Sequence, residues 1–299
     1  MTKKPKIIAI VGSTATGKSD LAVVLAKKYF GEIISADSRQ VYCGLNIGAG
    51  KITTSEMKGV PHHLLDVADP KRMYSVAKFQ RDGKKVIVDI LRQGKVPIVV
   101  GGSGFYLDAL LTNMSLPKVK ADMKLRMQLE KFSKQELYQQ LLTLDPRRAE
   151  EIDKDNPARL IRAVEIATLQ GPVAPISRTS PYDVCWIGLK TDNELLKERI
   201  AKRLTKRMRL GMLAEFKSLH ERGLSYSRME ELGLEYRYGA RLLQKLITRE
   251  EFESALTREI FRYAKRQMTW FKKNKEVHWL DIKDKNLALE LVAKELYLR

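Results

Sequence analysis

The sequence predicts an α/β fold: a parallel sheet of strands alternating with helices, interrupted by a stretch that is helical throughout. Three observations carry this. Short runs rich in Ile and Val recur at IIAIV (7–11), EIISAD (32–37), KVPIVV (95–100) and CWIGL (185–189). Each is close to apolar along its length rather than alternating, as strands covered on both faces are. From Pro117 to about Pro181 no strand pattern is visible, and helix start and stop signals are dense. In such a fold, ligands gather at the carboxyl ends of the strands.

The first run ends on a glycine, and GSTATGKS (12–19) separates it from an amphipathic helix reaching about Tyr29, with Leu21, Val24 and Leu25 turned inward. The second run closes on a carboxylate, Asp37. The third ends in Gly101-Gly102, after which Ser103 can cap a helix to about Leu111. In the helical stretch, Ser133-Lys-Gln-Glu136 is a capping box. Asn156-Pro157 places a cap before a proline at the first helical position, and Gly171-Pro172 closes that helix. Residues 172–181 (PVAPISRTSP) read as a loop. After the strand at 185–189, Thr191-Asp-Asn-Glu194 is a second capping box, opening a basic helix over 194–209. The remainder is largely helical, with a short strand at Val277–Leu280. The expected division is a core of 1–114 with 184–299, and an insertion of 115–183.

A chain of 299 residues has room for roughly two domains and a full-sized core. Hydrophobic residues at 44% and charged residues at 30% exclude disorder and collagen-like sequence. No apolar run approaches the ~18 to 20 residues of a membrane span. The apolar stretch behind the first lysines is too short for a secretory signal. Cys43 and Cys185 make no disulfide framework. A cytoplasmic protein with no membrane partner is the expectation. Charge is more informative: 55 basic against 36 acidic residues leave a formal net charge of +19. The excess is clustered, since 197–209 holds seven basic residues and one acidic, and 258–275 holds the same numbers. Clustering favours a polyanionic partner, nucleic acid ahead of a membrane surface.

GSTATGKS fits G-x-x-x-x-G-K-[ST] between a predicted strand and a predicted helix. Gly12 and Gly17 let the backbone curl, so that the loop of Ser13, Thr14, Ala15 and Thr16 turns its N–H groups toward phosphate oxygens. The helix amino terminus adds partial positive charge, Lys18 reaches the terminal phosphates, and Ser19 can hold Mg²⁺. The motif marks a phosphate binder without saying whether the phosphates belong to a nucleotide such as ATP. A carboxylate ending the third strand is missing, which leaves Asp37 as the well-placed acid. It reads first as a base or nucleophile-positioning group, next as a group behind a metal ion, and last as a cap on the turn at Ser38. On the basic helix, Arg199, Arg203 and Arg207 share a face beside a stripe of Leu196, Ile200, Leu204 and Met208. Arg203 and Arg207 are favoured to lie over a diphosphate or along an RNA backbone. Tyr263, among Arg262, Lys265 and Arg266, suits unstacked bases; Trp270 and Phe271 are assigned to the core.

Taken together, GSTATGKS (12–19), SADSRQVYCGLNIGAGK (35–51), HHLLDVADP (62–70), YSVAKF (74–79), VVGGSGFYLDALL (99–111), NPARLIRAVEI (156–166) and RYAKRQMTWF (262–271) resemble the tRNA dimethylallyltransferases. The resemblance implies a P-loop NTPase-like parallel-sheet core with an inserted all-helical domain that contacts tRNA. It implies transfer of a dimethylallyl group from dimethylallyl diphosphate to the adenosine 3′ to the anticodon, with Mg²⁺ as cofactor and the tRNA anticodon stem-loop as partner. By the same resemblance Thr14 to Ser19 hold the diphosphate, and Asp37 is the base for the adenine amine. Ser38, Arg39, Gln40, Ser103, Arg126, Ala158, Arg159, Leu160, Ile161 and Arg162 contact tRNA. The pattern is departed from at Cys43, at Gly50, where alanine is expected, and at LGLEYR (232–237). The zinc finger of the family's eukaryotic members is absent, because no Cys/His pair stands at ligand spacing. His62 and His63 are read as hydrogen-bonding groups in or near the pocket. The rivals are a small-molecule P-loop kinase, a free-nucleotide isopentenyltransferase and a non-catalytic RNA-binding NTPase.

Overall fold

A computed structural model describes residues 4–173 and 179–297, the side chains of Lys285 and Tyr297 aside. Its strands are β1 (Lys6–Gly12), β2 (Gly31–Ser35), β3 (His62–His63), β4 (Val96–Val100), β5 (Asp183–Lys190) and β6 (His278–Asp281). All pair in parallel, in the order β3-β2-β4-β1-β5-β6. The helices of the same unit are α1 (Lys18–Lys28), α2 (Thr54–Met57), α3 (Val76–Arg92) and α4 (Gly104–Leu111), then α9 (Asn193–Arg209), α10 (Met212–Glu221), α11 (Tyr226–Leu232), α12 (Leu234–Leu243), α13 (Arg249–Phe271) and α14 (Lys285–Tyr297). Between the two groups lie α5 (Met123–Leu129), α6 (Lys134–Leu144), α7 (Pro146–Glu151) and α8 (Pro157–Gln170).

β1 shows why a central strand of this sheet is apolar along its length. Ile7, Ala9 and Val11 join Phe79, Leu107, Ala264 and Phe271 on one face of the sheet. Ile8 and Ile10 join Leu21, Leu25, Ala288 and Val292 on the other. Both faces of β1 are covered by helices, which is why this strand is apolar on each; β2 buries Glu32, with His63 and Lys95 paired to its carboxylate. The arc that α1 buries is centred on Ala22, which puts Val24 on its far side, 39% exposed rather than inward.

The order of the strands locates the site. β4 lies between β1 and β2, so the loops after β1 and β2 leave the sheet on either side of Gly101-Gly102. A Cβ on Gly101 would strike the Ala36 backbone, and one on Gly102 would strike the Gln267 side chain. Close packing explains why glycines stand where a hydrolase of this fold class carries a carboxylate. β2 itself stops at Ser35, and Asp37 lies two residues beyond it in a turn.

Two of the expected caps are built differently. Asp192, not Thr191, caps α9 and accepts the Leu195 N–H at 2.7 Å. A charged acceptor at that position also complements the helix dipole. Ser103 precedes α4 without capping it, because its Oγ accepts the N–H of Ser38 instead. The Ser133–Glu136 box and the Asn156 cap form as read, and Gly171 ends α8 at φ 83°.

Contacts divide the chain into one unit of Met1–Asn113 with Thr179–Arg299 and another of Met114–Arg178, in place of breaks at 114/115 and 183/184. Ahead of β5, Lys4 Nζ holds the Ser180 carbonyl at 2.8 Å, and the Asp183 N–H donates to the Pro5 carbonyl at 3.0 Å. The smaller unit, α5 to α8, has its own apolar core of Leu129, Leu137, Leu141, Leu160 and Val164. The middle of the expected loop at 172–181 lies outside the described residues. Among them no helix is long and apolar enough to cross a membrane.

Candidate active site

Gly12 ends β1 at φ 136°, and a Cβ there would stand 2.5 Å from the Leu189 carbonyl oxygen on β5. Glycine therefore closes the sheet before it opens the loop. Ala15 (φ 64°) and Gly17 (φ 87°) take the left-handed conformation that wraps the chain into α1. Thr16 spends its hydroxyl on the Ser13 carbonyl at 2.8 Å, and both side chains are buried. Ser13 and Thr16 thus shape the cradle with side chains turned away from the cleft. Lys18 Nζ donates to the same carbonyl at 2.5 Å. Burial, then the Arg203 charge, lowers its pKa to about 7 against an opposing pull from Asp37. An anion placed beside such an amine favours its charged form.

The two carboxylate oxygens of Asp37 stand in different settings. Oδ1 accepts the N–H groups of Arg39 (2.8 Å) and Gln40 (3.3 Å), an Asx turn that fixes the carboxylate. The turn-capping role is therefore real for that oxygen, while Oδ2 has no hydrogen-bond partner among the described residues. The turn is anchored on both sides: Ser38 N–H donates to Ser103 Oγ at 3.0 Å, and Gln40 Nε2 donates to the Gly50 carbonyl at 3.2 Å. Ser103 acts from behind and does not line the cleft.

Arg203 and Arg207 enter from α9, whose Leu196, Ile200 and Leu204 are buried beneath them. Arg203 Nη1 lies 3.4 Å from Thr14 Oγ1, and Nη2 lies 3.3 Å from the Gly50 carbonyl. Burial and the neighbouring Arg207 lower its pKa to about 10, so it remains a cation near neutrality. Arg207 Nη1 is shared between the Gly48 carbonyl (3.2 Å) and Glu235 Oε1 (3.1 Å). Thr14, Gly17, Lys18 and Ser19, Asp37 to Gln40, and Arg199, Arg203 and Arg207 converge on one cleft of about 600 Å³. Ile260, Tyr263 and Gln267 of α13 form part of its wall, and His62 reaches its edge. A phosphate cradle, a fixed carboxylate and buried cations facing one space suit displacement of a phosphorylated leaving group.

Comparison with known proteins places this arrangement. The family model described as IPP transferase matches residues 40–274. The chain belongs to the IPP transferase family. A tRNA dimethylallyltransferase of Pelotomaculum thermopropionicum is 38% identical over 303 residues, covering 98% of this chain and 96% of the relative. One from Treponema pallidum is 42% identical over 290 residues, covering 91% and 90%. The solved tRNA isopentenylpyrophosphate transferase of Bacillus halodurans superposes at a TM-score of 0.74 with 37% identity, over 99% of both chains. A eukaryotic dimethylallyltransferase solved acting on tRNA gives 0.78 with 27% identity, over 99% of this chain and 77% of that one.

The structure shows the surroundings of two of the segments read from sequence as departures, Gly50 and LGLEYR (232–237). Gly50 sits at φ 55°, and a Cβ there would overlap Arg207 Nη2 and stand 2.5 Å from Arg203 Nη2. LGLEYR supplies Glu235, the partner of Arg207, and the fully buried Tyr236. Sequence reasoning missed Glu235 and Gln267. His62 Nδ1 pairs with the Val60 carbonyl at 2.9 Å, and His63 Nε2 with Glu32 at 2.7 Å. Burial lowers the pKa of His62. Trp270 is half-buried, with Nε1 on Asp108 at 3.2 Å, whereas Phe271 is core.

The remaining residues read as tRNA contacts belong to the smaller unit. Leu160 is fully buried in that unit's core, so its side chain packs rather than meets a ligand. Ala158 and Arg159 are exposed, Ile161 is half-buried, and Arg159 pairs with Asp153 at 3.3 Å. Arg126 makes a bidentate pair with Glu165 (2.9 and 2.8 Å). Arg162 joins the same carboxylate and also holds the Val119 carbonyl at 2.8 Å. Burial pushes Glu165 upward, but the hydrogen bonds from Arg126 and Arg162 outweigh it and hold the carboxyl at about 2.

Proposed function

We propose that this IPP transferase transfers the dimethylallyl group of dimethylallyl diphosphate to the exocyclic amine of the adenosine 3′-adjacent to the anticodon in tRNA, releasing diphosphate. The observation that carries the reading is the shared cleft. The phosphate loop and Arg203 face the space where a diphosphate fits, and Asp37 presents a free carboxylate oxygen to the same space.

The chemistry follows from charge. The carbon–oxygen bond of the allylic diphosphate breaks, and the leaving group takes the electron pair. Loop amides, Lys18 and Arg203 meet that charge from fixed positions, and preorganised donors and cations aimed at developing charge are the most effective stabilisers. The adenine amine is a weak nucleophile because its lone pair is delocalised into the ring. As the nitrogen–carbon bond forms, Asp37 Oδ2 takes the amine proton and later yields it to water. A stacked adenine cannot reach this carboxylate, so the base must leave its stack. The clustered positive charge supplies the anticodon stem-loop with phosphate contacts, to which Ser38, Arg39, Gln40 and the exposed Arg159 contribute.

The site fits Mg²⁺. Among the described residues no group of three or more His, Cys, Asp or Glu side chains is placed to hold a metal. Ser19 is exposed at the cleft, and its Oγ has no hydrogen-bond partner among the described residues. A hard cation taking most of its ligands from phosphate and water, with one hydroxyl from Ser19, matches the habit of Mg²⁺. It would add positive charge to the departing diphosphate.

Incubation of the protein with unmodified tRNA, dimethylallyl diphosphate and Mg²⁺ tests the proposal. Mass spectrometry of digested tRNA is expected to show a five-carbon addition on one adenosine beside the anticodon. A tRNA left unmodified under these conditions would sink the reading.

A further inference from the structure

Glu215 lies in the first turn of α10 and does not line the cleft. Its carboxylate is nevertheless committed to the segment from which the cleft arginines hang. Oε2 accepts the N–H groups of Ile47 (2.6 Å) and Asn46 (3.1 Å), and Oε1 accepts that of Gly48 (3.0 Å). Oε1 also accepts the Tyr236 hydroxyl at 3.1 Å, and the phenol oxygen accepts the Ala49 N–H at 3.1 Å. Four successive amides therefore converge on one carboxylate and one phenol. The segment is turn rather than helix or strand, so no ladder would hold it otherwise.

The opposite ends of these peptides hold the arginines. The peptide joining Gly48 to Ala49 gives its N–H to Tyr236 and its carbonyl to Arg207. The peptide joining Gly50 to Lys51 gives its N–H to the Asn46 carbonyl at 2.9 Å and its carbonyl to Arg203. Glu215 is thus one peptide plane and one phenol away from Arg207, and it reaches Arg203 through Asn46. Hydrogen bonds in such a chain polarise one another, with the carboxylate at the N–H end and the guanidinium at the carbonyl end.

We propose that Glu215, with Tyr236, is a positioning residue that fixes residues 46–50 so that the Gly48 and Gly50 carbonyls aim Arg207 and Arg203 into the cleft. The proposal rests on the reading that these arginines meet the diphosphate, and it extends that reading to a carboxylate outside the cleft. A role confined to holding the fold would lower every activity together. A positioning role weakens diphosphate contacts and spares tRNA binding.

The test uses the full chain with inorganic diphosphate as the probe, in wild type, Glu215→Gln, Tyr236→Phe and Arg203→Ala. Glu215→Gln is expected to raise the Kd for diphosphate about tenfold, the scale of one misdirected charged hydrogen bond. KM for dimethylallyl diphosphate should rise with it, while the Kd for tRNA is unchanged. Tyr236→Phe should act in the same direction and less strongly. In the Arg203→Ala background the Glu215→Gln effect should shrink, because the residues act in one chain. An unchanged diphosphate Kd in Glu215→Gln, or equal losses with and without Arg203, would overturn the proposal. If wild type fails to bind diphosphate, the functional reading fails; the arginine Nε–H NMR signals of the free protein then decide. Shifts of Arg203 and Arg207 in Glu215→Gln support positioning, and unmoved signals refute it.

Discussion

The side-chain carbonyl of Gln267 accepts the backbone N–H of Thr14 at 2.8 Å, while its amide nitrogen donates to the Gly102 carbonyl at 2.9 Å. One buried amide on α13 therefore ties together the loops that leave β1 and β4. Both ends are needed, because Thr14 and Gly102 present a donor and an acceptor, and an amide side chain offers the complementary pair.

Replacing Gln267 separates the two halves of this bridge. Gln267→Glu keeps an acceptor for Thr14 but sets an oxygen against the Gly102 carbonyl. Gln267→Ala leaves both backbone groups without a partner, at roughly 1–3 kcal/mol for a buried unsatisfied group. Alanine is expected to lower the melting temperature and raise KM for dimethylallyl diphosphate, since Thr14 also meets Arg203. Thermal melts with steady-state kinetics check this. Wild-type values of both quantities would show that the bridge is unimportant.

Asp37→Asn isolates the proposed proton acceptor. Asparagine keeps an Oδ1 for the N–H groups of Arg39 and Gln40, so the turn should survive and the melting temperature should hold. The basic oxygen is lost, and kcat should fall by ~10²- to 10⁴-fold, the usual worth of general-base assistance. The Kd for tRNA should stay at the wild-type value. Single-turnover kinetics and a filter-binding titration measure the two. A variant that turns over at near wild-type speed would remove Asp37 as the base.

The phosphate loop and the sheet were legible because their signals are contiguous. Eight residues from Gly12 to Ser19 state the loop, and each doubly covered strand announces itself by its own apolar run. The parts that escaped are made by contacts distant in the chain. Gln267 reaches Thr14 across most of the sequence, and within α13 a lone glutamine reads as one more solvated side chain. Glu235 looks like a helix surface acid until Arg207 of α9 is packed against it. β3 is only His62 and His63, too short to show a period, and it is placed by pairing with Ile33 and Ile34 of β2. Ser103 carries a genuine cap signal, but tertiary structure takes its hydroxyl for Ser38.

Lys18 should make stability depend on pH in a particular direction. Its pKa is lowered to about 7 by burial and by Arg203, whereas an unfolded lysine titrates near ~10.4. Between those values the unfolded chain carries a proton that the folded chain lacks, so stability rises with pH across the window. Below pH 7 both states are protonated, and the full cost of burying the charge is present. Lys18→Met removes that cost, and should raise the melting temperature more at pH 6 than at pH 9 while abolishing transfer. Calorimetry in buffers of different ionisation enthalpy adds a second check: at pH 8, inorganic diphosphate should draw more protons into wild type than into the variant. Equal uptake would mean that Lys18 is already charged in the free protein.

Gly50→Ala tests how closely the arginines must approach the 46–50 segment. At φ 55° a side chain costs roughly 1–2 kcal/mol in a left-handed conformation. The larger effect is steric. The new Cβ would overlap Arg207 Nη2 and crowd Arg203 Nη2, both of them ends of flexible side chains rather than fixed backbone. The guanidinium groups should therefore swing aside, leaving the Gly48 and Gly50 carbonyls and parting Arg207 from Glu235. A fall of a few degrees in melting temperature is expected from about 1–2 kcal/mol in a chain of this size. Diphosphate affinity should drop further than that loss implies, by about tenfold, because a displaced cation no longer meets the leaving group. Isothermal titration with inorganic diphosphate beside a thermal melt separates the two effects. A variant that loses stability but binds diphosphate as tightly as wild type would show that neither arginine needs the space the glycine leaves.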